Sequence, residues 1–346
     1  MEYNWIKIRE PLLEWYRLNH RDLKWRNTRM PYCIWISEIM LQQTRVEAVK
    51  DYYNRFLQEI PDVEALAQVP EEKLLKLWEG LGYYNRARNL KRAAEIIMDE
   101  YQGEFPTSYE KMIRLPGIGE YTAGAICSIC YDQPTPAVDG NVLRVMMRLA
   151  DCHDSIDDLK TRRRVREDLV PLYERGNCGI LTQALMELGA MVCVPKGMPK
   201  CDECPLRCHC LGFARKTHDC LPVRKEKKKR RIEKMTVFIL HDGEQYGIRK
   251  RKDKGLLAGL WELYHVDRQM GKEEAVQFIS RQGFEPVLLE KEIPYTHVFS
   301  HVEWRMTAYY ISCRRKKEEL KWVERRELDR EYALPTAFKV FFEKEF

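Results

Sequence analysis

Through the first two thirds of the chain, apolar residues recur every three or four positions, the spacing of helices with one buried face. Residues 5–18 follow this pattern. After a basic, irregular stretch over 21–30 it resumes in PYCIWISEIMLQQTRVEAVKDYYNRFL, where Ile34, Trp35, Ile39, Leu41 and Val46 share a stripe and predict one long helix. Further helices are predicted over 63–67, 71–78, 142–150, 162–172 and 181–192. Beyond residue 235 the grammar changes. Residues 235–240, 245–250, 291–293 and 307–313 read as strands, and 272–282 and 336–345 as helices. The pattern predicts a mainly α chain with an α+β tail, divided into a helical region (1–220), a linker (221–234) and a tail domain (235–346). A chain of 346 residues is long enough for each of two domains to bury a core.

Composition narrows the class. A hydrophobic share of 45% and a charged share of 32% suit a soluble globular protein. No apolar run reaches the roughly eighteen residues of a membrane span, and the N-terminus carries charges where a signal peptide needs an apolar core. A cytoplasmic location away from membranes is the expectation. The net charge of +6 has one source: RKEKKKRRIEK at 224–234 holds eight basic and two acidic residues. The remainder is neutral on balance, so any nucleic-acid affinity must come from local patches, and the linker run is read either as solvated or as a phosphate contact. The twelve cysteines include a cluster, which in a cytosolic protein suggests metal more than disulfides.

Candidate chemistry lies at five places. Leu115-Pro116-Gly117-Ile118-Gly119 opens an apolar helix. Two glycines around one hydrophobic residue permit a tight turn, whose N–H groups at a helix start can hold a phosphate oxygen; the same residues also suit an ordinary corner. Asp139 stands at the mouth of the next helix, either as an N-cap or as a reacting carboxylate. Glu38 sits inside an apolar helix, either turned to solvent or held as a carboxylic acid whose charged form is disfavoured. The run 80–90 (GLGYYNRARNL) joins flexible glycines, paired tyrosines and arginines, which suits a packed loop or a wedge entering a duplex. Cys193, Cys201, Cys204 and Cys210 are spaced C-x7-C-x2-C-x5-C, a set of thiolates for a structural zinc or an iron–sulfur cluster.

Taken together these strings resemble a family. Leu-Pro-Gly-Ile-Gly-Glu-Tyr-Thr-Ala-Gly-Ala (115–125), Val-Asp-Gly-Asn-Val (138–142) and Trp-Ile-Ser-Glu-Ile-Met-Leu-Gln-Gln-Thr (35–44) resemble the adenine glycosylase (MutY) branch of the helix-hairpin-helix DNA glycosylases. The resemblance runs in order through nearly the whole chain. It implies a two-lobed all-α catalytic region with a [4Fe–4S] loop at 193–210 and a Nudix-like α+β tail. It implies Glu38 as catalytic acid, Asp139 as the carboxylate facing the reacting sugar, and Tyr121 and Asn141 beside that sugar. Arg26 and Gln183 match positions near the adenine, and Gln42 and Gln43 match glutamines that reach into the DNA stack. Tyr83 matches the wedging tyrosine, Gly117 and Gly119 the hairpin, and Phe299-Ser300-His301 a loop that contacts oxidised guanine. Cys193, Cys201, Cys204 and Cys210 match the cluster ligands, although the family's first gap is usually C-x6-C and Cys208 stands beside the fourth ligand. Leu23-Lys24-Trp25 replaces the usual Leu-Pro-Trp.

The implied activity is removal of adenine mispaired with 8-oxoguanine or guanine in double-stranded DNA, by a monomeric enzyme without lyase chemistry. A bifunctional endonuclease III-type lyase places a lysine where this chain has Tyr121. A non-catalytic, redox-sensing DNA-binding protein leaves Glu38 and Asp139 without a purpose. No glutamate-rich, magnesium-binding helix lies between Glu262 and Gly283, so pyrophosphate hydrolysis by the tail is not expected.

Overall fold

The structure, a computed structural model, describes residues 3–226, 229–314 and 317–343. Lys227 and Lys228 of the basic run, and the last residues of the helix expected at 336–345, lie outside the described residues. Two compact units emerge: Met1–Gln68 with Asn89–Glu226, and Val69–Arg88 with Lys227–Phe346. The division departs from the linear one expected from sequence, because the stretch at 69–88 groups with the tail.

In chain order the helices preceding the tail are α1 (Arg9–Asn19), α2 (Pro31–Leu41), α3 (Val46–Glu59), α4 (Val63–Gln68), α5 (Glu71–Leu77), α6 (Asn85–Tyr101), α7 (Tyr109–Met112), α8 (Glu120–Tyr131), α9 (Gly140–Leu149), α10 (Leu159–Leu169), α11 (Cys178–Met191) and α12 (Leu211–Ala214). Only α5, the loop after it and the first turn of α6 belong to the second unit. The first unit is all helical. α11 is its axis, packed on α1, α8 and α9, and Leu12, Leu13, Val142, Met146, Leu181, Leu185 and Leu188 form a shared core. Glycine sets the closest crossing: a Cβ on Gly189 of α11 would lie 2.6 Å from Asn141 Cβ of α9.

The single long helix expected from residue 31 onward is two. Gln42 leaves helical geometry and Gln43 adopts a φ of +62°, so the chain turns between α2 and α3. The apolar stripe continues across the turn because both helices bury a face, and periodicity alone does not register the break.

In the second unit, strands β1 (Arg231–His241), β2 (Gln245–Lys250), β3 (Trp261–Val266), β4 (Pro286–Val298), β5 (Val302–Cys313) and β6 (Lys321–Glu324) form one sheet in the order β4-β5-β1-β3-β2-β6. The β1–β5 pair is parallel and the other pairs are antiparallel. Along β1, Val237 and Ile239 face a core built with α15 (Thr336–Glu343), while Phe238 and Leu240 face one built with α13 (Lys272–Arg281). Burial on both faces gives the central strand its continuous apolar run. β3, β6 and α14 (Arg325–Glu331) were not visible in the sequence pattern, being short and mixed in polarity. β1 also starts earlier than expected, so Arg231–Lys234 of the supposed linker is strand.

The 69–88 stretch is bonded into this unit. Lys76 Nζ donates to Tyr332 O (3.0 Å), Glu79 accepts from Leu334 N (2.9 Å) and Lys339 Nζ (3.1 Å), and Arg88 Nη2 donates to Ala258 O (2.7 Å).

Candidate active site

One cavity of about 790 Å³ in the first unit collects eight of the residues singled out from sequence. Glu38, Gln42, Gln43, Tyr121, Asp139, Asn141, Arg26 and Gln183 all line it. Gln42 and Gln43 reach it because of the turn between α2 and α3.

Glu38 is carried by α2, whose every residue from Ile34 to Met40 is buried; the carboxyl itself is 6% exposed. Burial pushes its pKa up to about 7, with the charge of Asp139 adding to the rise. Two effects oppose this: Tyr121 Oη donates to Glu38 Oε2, and Arg26 lies near. The Tyr121 phenol is held well above its ordinary pKa by burial and by the two carboxyls, so it remains the donor. Relative to a carboxyl at 4.5, a folded value near 7 costs stability on the order of 3 kcal/mol at neutral pH. Such an expense is characteristic of a functional acid.

Asp139 sits differently. It caps α9 by accepting from Val142 N (2.7 Å), and its other oxygen accepts from Asn141 Nδ2 (2.7 Å). Burial raises its pKa on balance, and those donors with the Arg144 guanidinium offset part of the rise. The capping role and the position on the cavity wall belong to the same side chain.

Behind the cavity lies a network absent from the sequence reading. Glu187 on α11 is fully buried and accepts from Arg21 N (3.0 Å), Arg21 Nε (2.7 Å), Arg21 Nη2 (3.0 Å) and Arg26 Nη2. Burial alone would raise its pKa; the bonds from Arg21 and the charge of Arg26 outweigh it and hold the carboxyl below its usual range. Arg26 Nη1 donates to Tyr16 Oη (3.0 Å), which donates to Gln183 Oε1 (2.5 Å). Gln183 thereby keeps its amide N–H groups for the cavity, and Arg26 Nε has no partner among the described residues. A lone acid within LTQALMELGAMV is the same signal that marked Glu38, so the string did contain it.

Two buried arginines of α9 were also missed. Arg144 donates to Asn141 Oδ1 (2.9 Å), Gly189 O (2.6 Å) and Cys193 O (2.7 Å), and Arg148 Nη1 donates to Cys193 Sγ (3.3 Å). Cys193, Cys201, Cys204 and Cys210 line one apolar-walled cavity with Arg148, whereas Cys208 is exposed and off its wall. Phe213 N donates to Cys210 Sγ (3.4 Å).

The hairpin glycines lie outside the large cavity's lining. Gly117 has a φ of +76°, and a Cβ there would come within 2.7 Å of Asn89 Cβ. Gly119 caps α8 with no side-chain acceptor, leaving the first N–H groups available to an anion.

In the second unit, Tyr83, itself at a φ of +49°, shares a hydrogen bond with Ser300. Ser300 and His301 are exposed in the turn between β4 and β5, closed by Phe299 N to Val302 O (2.8 Å). The Phe299 ring is fixed edge-on between His297 (4.5 Å) and Trp304 (4.8 Å).

Comparison with known proteins agrees with this arrangement. Residues 36–171 match the HhH-GPD superfamily of base excision DNA repair proteins, and residues 235–344 match the NUDIX domain. The adenine DNA glycosylase of Buchnera aphidicola (Schizaphis graminum) is 34% identical over 295 residues, covering 84% of this chain and 83% of the relative. The chain belongs to the adenine DNA glycosylase family. The Homo sapiens member is 31% identical over 365 residues, with 88% of this chain and 67% of that protein covered. A solved thermostable thymine-DNA glycosylase superposes with a TM-score of 0.55 at 29% identity, covering 60% of this chain and 96% of its own. The adenine glycosylase family thus joins a helix-hairpin-helix catalytic fold to a Nudix-like tail in this chain. No helix among the described residues is long and apolar enough to cross a membrane.

The buried network generates a prediction. Glu187→Gln leaves Arg21 and Arg26 uncompensated and is expected to lower unfolding free energy at pH 7 by about 3 kcal/mol in urea titration. Because the Glu187 pKa is depressed on folding, its contribution is present above the unfolded value and lost as pH falls through the folded one. The gap between wild type and variant should therefore close below about pH 4, near the range of an unperturbed glutamate. Equal stability at pH 7 would exclude the pairing.

Proposed function

We propose that this chain works as an adenine DNA glycosylase through Glu38 as general acid and Asp139 as an ionised partner, and that its target is adenine opposite 8-oxoguanine or guanine. The glycosylase activity in base excision repair is that of the family; the residue roles and the opposite base are this reading. The observation that carries it is the pairing, in one cavity, of a carboxyl pushed up to about 7 with a second carboxyl held by two hydrogen-bond donors.

An adenine stacked in a duplex is out of reach, so it must be extruded into the cavity. There the amide N–H groups of Gln183, whose oxygen is taken by Tyr16, are suited to ring nitrogens, with Arg26 on the same wall. Glu38 gives its proton to a ring nitrogen of adenine as the bond from C1′ to the base breaks, and the electron pair leaves with a neutral base. The sugar is left with oxocarbenium character, which the Asp139 carboxylate stabilises, as two carboxyls divide the work in glycoside hydrolysis. Water then adds at C1′, and its proton returns to Glu38. The Asp139 charge also helps Glu38 keep its proton beforehand. Tyr121 supplies no amine for an imine with the sugar, so the reaction ends at an abasic site.

The cysteines fit an iron–sulfur cluster. Four cysteines set around one cavity suit a [4Fe–4S] centre, and Arg148 Nη1 and Phe213 N supply hydrogen bonds to the sulfurs of Cys193 and Cys210. Among the described residues no group of three or more metal-binding side chains is gathered tightly enough for a single ion. Cys193, Cys201, Cys204 and Cys210 would hold the cluster, whose contribution is to fold the loop that meets Arg144 and Arg148.

Three measurements test this reading. Glu38→Gln and Asp139→Asn should each abolish base release in single-turnover assays while retaining mismatch binding. Since the protonated acid is the active form, the wild-type rate should fall above about pH 7. Tyr121→Phe removes a bond that favours ionised Glu38, so it should move that falling limb to higher pH; an unmoved or lowered limb overturns the assignment.

Iron analysis of purified protein should give about four irons per chain with acid-labile sulfide. Cys208→Ser should retain it and Cys210→Ser should lose it. Stoichiometric zinc without sulfide is the contrary result.

Finally, Ser300 should read the base opposite. The oxygen on C8 and the N7–H of 8-oxoguanine offer an acceptor and a donor that guanine lacks. Ser300→Ala in the full chain should lower the preference for 8-oxoguanine over guanine roughly fivefold, the equivalent of one hydrogen bond of about 1 kcal/mol. Removing residues 235–346 is a poorer test, because it takes from Lys76, Glu79 and Arg88 the partners they have in the tail. An unchanged preference would remove Ser300 from lesion reading.

A further inference from the structure

The first residues of the basic segment, which the sequence leaves open between a solvated run and a phosphate contact, are built into the catalytic unit. Arg148 Nε donates to Leu221 O (3.0 Å), Ile156 N to Val223 O (3.1 Å), and Lys225 N to Asp157 Oδ2 (2.9 Å). The Lys225 ammonium pairs with Asp158 Oδ1 at 2.6 Å. These bonds bracket Arg224 on both sides and place it on the wall of the cavity that holds Glu38 and Asp139.

Arg162 of α10 and Arg45, in the turn between α2 and α3, line the same cavity, and all three arginines are exposed. Their charges are largely unspent. Neither Arg224 nor Arg45 has a hydrogen-bond or ion-pair partner among the described residues; Arg162 donates Nε to Ile156 O (2.8 Å) and stands 4.0 Å from Asp157. Arg21 and Arg26, which also reach the cavity, are instead committed to Glu187. At the cavity mouth the charges of Arg224 and Arg45 are thus matched by no carboxylate among the described residues, and that of Arg162 only by Asp157 at 4.0 Å. A guanidinium aimed at water gains little, whereas one beside a polyanion releases counterions and fixes register. An extruded nucleotide brings its two flanking phosphates to the mouth of the pocket that receives its base.

We propose that Arg224, with Arg162 and Arg45, forms a phosphodiester-binding rim that grips the DNA backbone beside the extruded adenosine. The start of the interdomain segment is then a substrate contact, and the segment's positive charge is not one undifferentiated cloud. This rests on the glycosylase reading above, since it takes the cavity to be the pocket for the flipped base.

The test uses the full chain and a duplex whose target adenosine carries a 2′-fluorine to resist cleavage. Dissociation constants are measured by fluorescence anisotropy from 50 to 200 mM salt for wild type, Arg224→Gln and Lys229→Gln. Both variants lose one charge, but only Arg224 lies on the cavity wall. Arg224→Gln should weaken binding about five- to tenfold and reduce the slope of log K against log salt by about 0.9, the value for one phosphate. Lys229→Gln should change affinity less than about twofold, as a screened surface charge does. Replacing one flanking phosphate with a neutral methylphosphonate should weaken the wild type similarly and add nothing to the Arg224→Gln defect. Equal effects of the two substitutions, or a defect that no neutral linkage cancels, overturn the rim. Base release by wild type from the unfluorinated duplex is measured in parallel; its absence would sink the glycosylase reading, while unaltered affinity of Arg224→Gln sinks the rim alone.

Discussion

The catalytic unit depends on how closely α9 and α11 cross. At Gly189 there is no room for a side chain, because Asn141 Cβ would stand 2.6 Å from the added carbon. That approach fixes the start of α9, and with it the carboxylate that caps the helix. Arg144 reaches from α9 to Gly189 O and Cys193 O, so the same crossing also ties the cysteine loop to the helix that carries Asp139. Asp139 is therefore positioned by main-chain packing and by its own capping bonds, with no reliance on a mobile loop. Such rigidity is what a reacting group needs, since small misplacements carry large penalties in rate.

Two glutamates in the unit show how surroundings assign roles. Glu38 and Glu187 are each a single acid in an apolar helical string, and each is almost wholly buried. Burial pushes both toward the neutral form. Glu187 receives two guanidiniums and stays ionised; Glu38 receives a tyrosine hydroxyl and an adjacent carboxyl and keeps its proton near neutrality. One becomes a strut holding Arg26 at the cavity, the other an acid. A difference in counter-charge, and none in residue type, separates structure from chemistry.

Much of the site was legible because its signals are local. Glycines around Ile118, an acid inside α2, the capping Asp139 and the cysteine spacing all lie within short strings. What stayed hidden depends on distant pairs. Nothing near Arg21 announces Glu187, 166 residues away, and Tyr16 meets Gln183 across 167. The turn at Gln43 was lost because two helices with buried faces read as one. β3 and β6 lack a clear alternation, and the membership of 69–88 in the second unit rests on polar bonds of charged side chains that look solvated in sequence.

That last arrangement has a consequence for how the chain is made. Lys76 finds its acceptor on Leu328 at a separation of 252 residues, and on Tyr332 at 256. A ribosome adding about 5–20 residues per second needs roughly 10–50 s to cover that distance. Through that interval α5 and the Tyr83 loop have emerged without the surface they bind, while all of Asn89–Glu226 is synthesised after them. The nascent polypeptide must therefore hold open a place in the middle of its first half until its last helices arrive. A stop codon before Leu328 removes more than the tail: it strands a piece of the part already made.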